Sequence, residues 1–209
     1  MLELDAIDNG VSCGKDLSYD IGSSLSSRVG MYNSPWNAPE GSGYSQYNQF
    51  KKAMKLCEQY FMHKLYKEVI IQMPAREIVQ EMFDKVADFH PSKSFLYLEK
   101  SCPWKGHLIN IEEENKVYGQ IKFVLYQDER KMFRIQAMPN SEISFENRCS
   151  IHKDYRGLRD DDLNKAAGIT DGAFVHAAGF IGGAWSIESV VKMGEASLAQ
   201  QAIEKKEAQ

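Results

Sequence analysis

The spacing of apolar residues between Phe50 and Val69 constrains this chain more than any other feature. Phe50, Met54, Cys57, Phe61, Leu65 and Val69 recur at steps of four, three, four, four and four. That period matches one face of an α-helix and predicts a long amphipathic helix packed on a core. Lys51, Lys52, Lys55, Lys64 and Lys67 make the same segment basic. They read as its solvated face in preference to phosphate contacts. Pro74 interrupts the pattern and predicts a kink or a fresh helix start. Ile78, Val79, Met82, Phe83 and Val86 resume it over Ala75 to Phe89, and His90-Pro91-Ser92 closes it. A boundary at residue 91 divides the chain into a helical part, 1–91, and a second domain, 92–209.

The second part reads as α/β. Phe95 to Leu98 is a short strand, and a helix with proline in its first turn runs from Cys102 to Glu114. Val117 to Gln127 and Met132 to Met138 are β segments flanking Asp128-Glu129-Arg130-Lys131, the pattern of an antiparallel hairpin. Ser141 to Tyr155 is a loop, and Arg156-Gly157-Leu158-Arg159-Asp160 leads into a short helix. The predicted fold class is α/β: a helical N-terminal part followed by an α/β domain with a mixed sheet. Ahead of the long helix, Val11 to Tyr47 is rich in Ser, Gly, Asn and Tyr, with a short helix over Leu25 to Met31.

The stretch with the most chemistry is Ala173 to Gly183, AFVHAAGFIGG. An apolar run carries His176, and Gly179, Gly182 and Gly183 follow before a helical pattern begins near Trp185. Strand, glycine turn and helix form the local layout of a phosphate cradle, because glycine admits close backbone approach and helix-start N–H groups attract anions. The same cluster also serves any tight turn that holds no ligand. Arg148, Arg156 and Arg159 precede it, and guanidinium groups suit phosphate through their fixed donors. Ion pairing of these arginines with Asp160, Asp161 and Asp162 is an equal reading from spacing alone. Near the N-terminus, Asp5 and Asp8 lie three apart and would share one helix face, where they could supply oxygens to a hard divalent cation. A solvated acidic helix end is the plainer reading.

Composition narrows the function classes. The net charge of −4 means that any nucleic acid must be held by a local basic surface. Cys13, Cys57, Cys102 and Cys149 are widely spaced, with no zinc-type pattern, and read as reduced thiols of an intracellular protein. No apolar run is long enough to span a membrane, and the start MLELDAIDNG lacks signal or transit-peptide character. That start opens on a charged, patterned segment as though something preceded it. The glycine turn lacks the GK[ST] ending of a P-loop, and no GxSxG elbow is present.

Several motifs occur together: DAIDNG (Asp5–Gly10), PAR (Pro74–Arg76), CPWKGHL (Cys102–Leu108), FRIQAMP (Phe133–Pro139), FENR (Phe145–Arg148), RGLRD (Arg156–Asp160) and HAAGFIGG (His176–Gly183). In this order, over nearly the whole chain, they resemble the MYG family (melanocyte proliferating gene proteins). Tyr155 stands where that family usually has tryptophan. The resemblance implies a relationship to DHH-type phosphoesterases and 3′–5′ RNA exonuclease activity. It also implies an N-terminal catalytic region with a DHH triplet, which this sequence lacks.

By that resemblance, Asp5 or Asp8 is a remaining metal ligand for manganese or magnesium, not fully ligated by this chain. Residues 92–209 then correspond to the DHH-associated substrate-binding domain, with His176, Gly179, Gly182, Gly183, Arg148, Arg156 and Arg159 holding phosphate. The expected partners are single-stranded RNA or a nucleotide, together with a missing N-terminal half, another chain or a second copy in a homodimer; no membrane is expected. The location implied is intracellular: nucleus, cytoplasm or mitochondrion. The expectation is a substrate-binding portion inactive alone. The alternative is a non-enzymatic module that binds RNA, nucleotide or protein.

Overall fold

A computed structural model of the chain describes residues 23–39, 43–141 and 144–207. It divides into two units, one ending at Glu68 and one beginning at Val69. The boundary expected at residue 91 therefore falls inside the second unit.

In the first unit, α1 (Leu25–Gly30) is capped by Ser24, whose hydroxyl accepts the N–H of Ser27. It packs on α2 (Gln46–Tyr66), the predicted long helix, which Ser45 caps in the same way. Arg28 of α1 lies over the Tyr60 ring and donates to its hydroxyl; Gln49, beside Val29 and Tyr32, is buried. The predicted burial of the apolar stripe is not found. Phe50 and Phe61 are 62% and 66% exposed, and Met54, Cys57 and Leu65 are exposed beside them. The period identified the face that favours burial. Among the described residues of this unit, however, six-residue α1 is the helix that packs on α2, and it covers the side bearing Tyr60.

A π-helical stretch, Lys67–Gln72, leads to α3 (Met73–Asp84), so the irregularity expected at Pro74 falls just before it, with Pro74 in the first turn of α3. The short α4 (Val86–Phe89) follows, then β1 (Phe95–Leu98) and α5 (Lys105–Glu114). Pro103 precedes α5 and is not part of its first turn. The predicted hairpin is β2 (Phe123–Gln127) and β3 (Phe133–Ala137), with Leu125 opposite Ile135. Residues 117–122, expected in the strand, instead form a turn whose N–H groups at Gly119 and Ile121 are accepted by Glu112. Next come α6 (Asp160–Ala167), β4 (Gly172–Val175), β5 (Ile181–Ala184) and α7 (Ile187–Glu207).

The sheet is mixed, in the order β1-β2-β3-β5-β4, with the β1–β2 pair parallel and the rest antiparallel. Alternation sends Phe95, Phe123, Leu125, Ile135 and Val175 to one face, where they pack with Val190 and Met193 of α7 and Leu163 of α6. Leu96, Leu98 and Val124 point the other way and pack on Val79 of α3 and on Leu108 and Ile111 of α5. This second layer ends at β2. Beyond it, on the same face of β3, β5 and β4, Arg134, Gln136, Ile181 and Phe174 are only half-buried. Among the described residues no helix is long and apolar enough to cross a membrane.

Candidate functional site

The Ala173–Gly183 stretch folds as a hairpin, which corrects the expectation of a strand turning into a helix. β4 runs into His176, the chain turns through Gly179, and β5 returns; α7 starts only at Ile187. Gly182 and Gly183 are therefore strand residues. Because β5 lies between β3 and β4, their backbone belongs to the ladders on both sides. A Cβ on Gly182 would sit 3.1 Å from the Phe174 carbonyl oxygen, and one on Gly183 would sit 2.9 Å from Met132 Sδ. Close packing in the sheet accounts for both glycines. The sequence concealed the strand because glycine contributes nothing to a polar–apolar alternation.

The turn itself is well defined. His176 accepts the Gly179 N–H at its carbonyl (2.8 Å), and its Nδ1 accepts the Ala178 N–H (3.1 Å). An accepting Nδ1 puts the proton of the neutral ring on Nε2. The ring is exposed, 4.6 Å from that of Phe180, and Nε2 has no hydrogen-bond partner among the described residues. Gly179 has φ +69°, which glycine adopts without strain. A Cβ there would lie 2.6 Å from Arg156 Nε.

The loop preceding α6 folds over this turn. Ile151 N–H donates to the Gly179 carbonyl (2.8 Å), and Arg156 Nε donates to the Ile151 carbonyl (2.8 Å). Gly157 and Leu158 then exchange hydrogen bonds with Val175, and Arg159 bridges Phe174. The structure thus brings Arg156 and Arg159 to the His176 hairpin. Arg156 lies against Gly179 and also lines a cavity of about 210 Å³ with Cys149, Ser150, Gln200 and Glu204. Arg159 lies over the Phe174 ring at 5.8 Å. Among the described residues neither arginine has a carboxylate within 4.0 Å. Asp160, Asp161 and Asp162 instead occupy the first turn of α6, where they complement the helix dipole.

Arg148 has a different place. It is 7% exposed and pairs with fully buried Glu112 through Nη1 (2.5 Å), which also donates to the Ile121 carbonyl (3.0 Å). The Tyr118 ring covers the guanidinium at 4.8 Å. A buried ion pair of this kind fixes the 117–122 turn against the FENR segment. Phe145 of that segment is 84% exposed. Lys122 stands close by; burial, then Lys205 and Arg148, lower its ammonium pKa.

Sequence reasoning missed Phe174, Arg134 and Asp128. Arg134 Cζ lies 4.9 Å from the Phe174 ring centroid, opposite Arg159 in the cross-strand row. Asp128 holds it there, with Oδ2 accepting from Nε (2.9 Å) and Nη2 (2.7 Å). Burial would raise the Asp128 carboxyl, but the Met132 N–H and the Arg134 guanidinium hold it below its ordinary range. The available signal was the alternation of FRIQA, which sends Arg134 and Gln136 to the same face. Arg76, of the PAR motif, pairs with Glu114 at 2.7 Å.

Asp5 and Asp8, the candidate metal ligands, lie outside the described residues. Among the described residues no group of three or more His, Cys, Asp or Glu side chains is disposed to hold a metal ion. The described residues by themselves offer no ligand set for manganese or magnesium.

Comparisons with known proteins bear on this arrangement. The family model MYG1_exonuc, described as "Uncharacterised protein family (UPF0160)", matches residues 1–198. The chain is 38% identical over 201 residues to the MYG1 protein of Dictyostelium discoideum, covering 95% of this chain and 61% of that one. It is 38% identical over 202 residues to the MYG1 exonuclease of Bos taurus, covering 95% and 52%. To the MYG1 exonuclease of Homo sapiens it is 37% identical over 202 residues, covering 95% and 53%. The chain thus spans between about half and three-fifths of the length of these relatives. No solved structure matches it. With a family model covering nearly all of its length, the chain belongs to the MYG1 exonuclease family.

Proposed function

We propose that this chain is the substrate-binding, C-terminal portion of a DHH-type, metal-dependent 3′–5′ RNA exonuclease, and that it does not cleave RNA alone. The observation that carries the reading is the His176 hairpin. An exposed imidazole with its Nε2–H unpartnered stands beside two arginines that have no carboxylate among the described residues. Unpaired guanidinium groups and an imidazole donor suit the phosphates of a nucleic-acid strand. They also provide the local positive charge that a chain of net charge −4 needs to hold a polyanion. The exonuclease names of the Bos taurus and Homo sapiens relatives give the direction of the chemistry. Of the original phosphate set, His176, Gly179, Arg156 and Arg159 remain in this reading; Arg148, Gly182 and Gly183 act by holding the fold.

The test uses the full chain with 5′-labelled single-stranded RNA and manganese, with and without chelator. Binding without shortening is expected, and His176→Ala and Arg156→Ala should each weaken that binding. Chelator-sensitive turnover by this chain would overturn the inactive-portion reading. Absence of RNA binding would overturn the substrate-binding reading.

A further inference from the structure

We propose that the half-buried face of β3, β5 and β4, which no helix of the described residues covers, is a platform on which unpaired bases of the strand stack, and that Arg159, Phe174 and Arg134 form it. The proposal rests on the nucleic-acid reading above and assigns it a surface.

Register defines the platform. Tyr126 pairs with Arg134, Arg134 with Gly183, Gly183 with Phe174, and Phe174 with Arg159. These five residues make one row across the sheet on the face opposite α6 and α7. Tyr126 marks where the helical layer stops, because it still packs on the cluster beneath α3 and α5. From there outward no helix of the described residues covers the row; Arg134 and Phe174 are half-buried and Arg159 is exposed. Gly183 at its centre has no side chain, so Phe174 and Arg134 lean over it from both sides and meet. Arg159 closes the row on the far side of the same ring. The next row carries Gln136, Ile181 and, through its N–H to the Ile181 carbonyl, His176. The Tyr126 hydroxyl joins the rows by donating to Gln136 Oε1 (3.0 Å).

The chemistry favours bases over other occupants. Guanidinium groups within 4.9 and 5.8 Å of an aromatic ring centre put planar groups beside the ring, and RNA bases stack on guanidinium planes and on aromatic faces. Asp128 neutralises Arg134 and fixes its orientation, so Arg134 serves as a surface more than as a charge. Arg159 keeps its charge for the phosphates that link the bases. Neighbouring strands lie about 4.8 Å apart, so the row from β3 to the Arg159 edge spans roughly 14 Å. Sheet faces of that breadth hold two or three unpaired bases. A duplex, whose bases are already stacked, gains nothing from this surface.

The experiment measures anisotropy of a labelled single-stranded RNA 12-mer titrated with the full chain. It is run beside an abasic strand of equal charge, over a series of salt concentrations. The intact strand is expected to bind roughly 5- to 150-fold more tightly than the abasic one, the range of one stacked base. Phe174→Leu removes the ring and leaves every charge in place, so, with folding checked by thermal melting, it should weaken the intact strand several-fold and leave the abasic strand and the salt slope unchanged. Arg159→Lys touches a residue that also serves the phosphates, so it should weaken both strands, the intact one more. Equal binding of intact and abasic strands, or a folded Phe174→Leu chain that binds the intact strand as tightly as the original, would overturn the platform and leave the phosphate-binding reading standing. Binding of neither strand would overturn both.

Discussion

Two helices of 21 residues each, α2 and α7, have opposite relations to their surroundings. α2 has the cleaner periodic stripe in sequence, yet Phe50, Met54, Phe61 and Leu65 are exposed. α7 has a mixed surface of Ser, Gly, Met and Val, yet Val190, Met193, Gly194 and Ser197 are buried against the sheet. Periodicity reports which face of a helix favours burial. Burial itself depends on whether a complementary surface is present. The sheet supplies that surface to α7, and small residues matter there because they set how closely the helix approaches.

The largest expected effect lies at that approach. A Cβ on Gly194 would land against Phe95, with Cζ at 2.8 Å and Ile135 Cδ1 at 3.1 Å. Both neighbours are fully buried and cannot move aside. Gly194→Leu should therefore lower stability by about 1–3 kcal/mol through overpacking, despite the better helix propensity of leucine. Urea denaturation measures it. An unchanged midpoint would mean that α7 is free to lift from the sheet, and the contrast with α2 would weaken.

The sequence revealed the fold unevenly, for physical reasons. β1 and β2 were legible as short apolar runs bounded by turn residues, and β3 through the alternation of its buried positions. Helices α2 and α3 were legible through period 3.6. The second hairpin was hidden because Gly182 and Gly183 occupy strand positions at which alternation is normally read. At the site, His176 and RGLRD were found by residue type. Arg148 has the same chemistry as Arg159 but a different environment. Glu112, 36 positions away in sequence, captures it. Only the fold shows which arginine is paired and which is not.

The cysteines sharpen the same contrast at intermediate size. Cys57 lies exposed on α2, while Cys149 is buried where Ser197 of α7 covers it, with Sγ 3.6 Å from the Ser197 carbonyl oxygen. Burial pushes the Cys149 thiol up to about 11, with Lys122 and Lys205 pulling the other way. Below the ordinary thiol value of about 8.5, folded and unfolded chains both hold the proton, and Cys149 adds no pH dependence. Between that value and about 11 the unfolded chain releases the proton that the folded chain keeps, so stability falls as pH rises. Cys149→Ala should flatten that part of the fall in melting temperature between pH 8 and 10.5. Peptide mapping after brief alkylation at pH 8 should find Cys57 modified and Cys149 intact. Equal modification of the two would show that α7 does not shield Cys149.

The smallest expected effect tests α2 directly. Phe50→Ser and Phe61→Ser remove large apolar side chains that are already in water, so each should change the stability of the chain by less than about 0.5 kcal/mol. A buried phenylalanine truncated to a small side chain costs about 3–5 kcal/mol, so the two cases are readily separated. The pair also samples the stripe near both ends of α2. A loss of 2 kcal/mol or more at both sites would mean that the stripe is covered in the folded chain, and α2 would then belong with α7. Loss at one site alone would locate the covered portion. No loss at either would leave a helix whose apolar face contributes nothing to the stability of this chain. In that case the period read from the sequence, correct in phase and direction, describes a surface in water, where a contiguous apolar patch of this kind marks an interaction site.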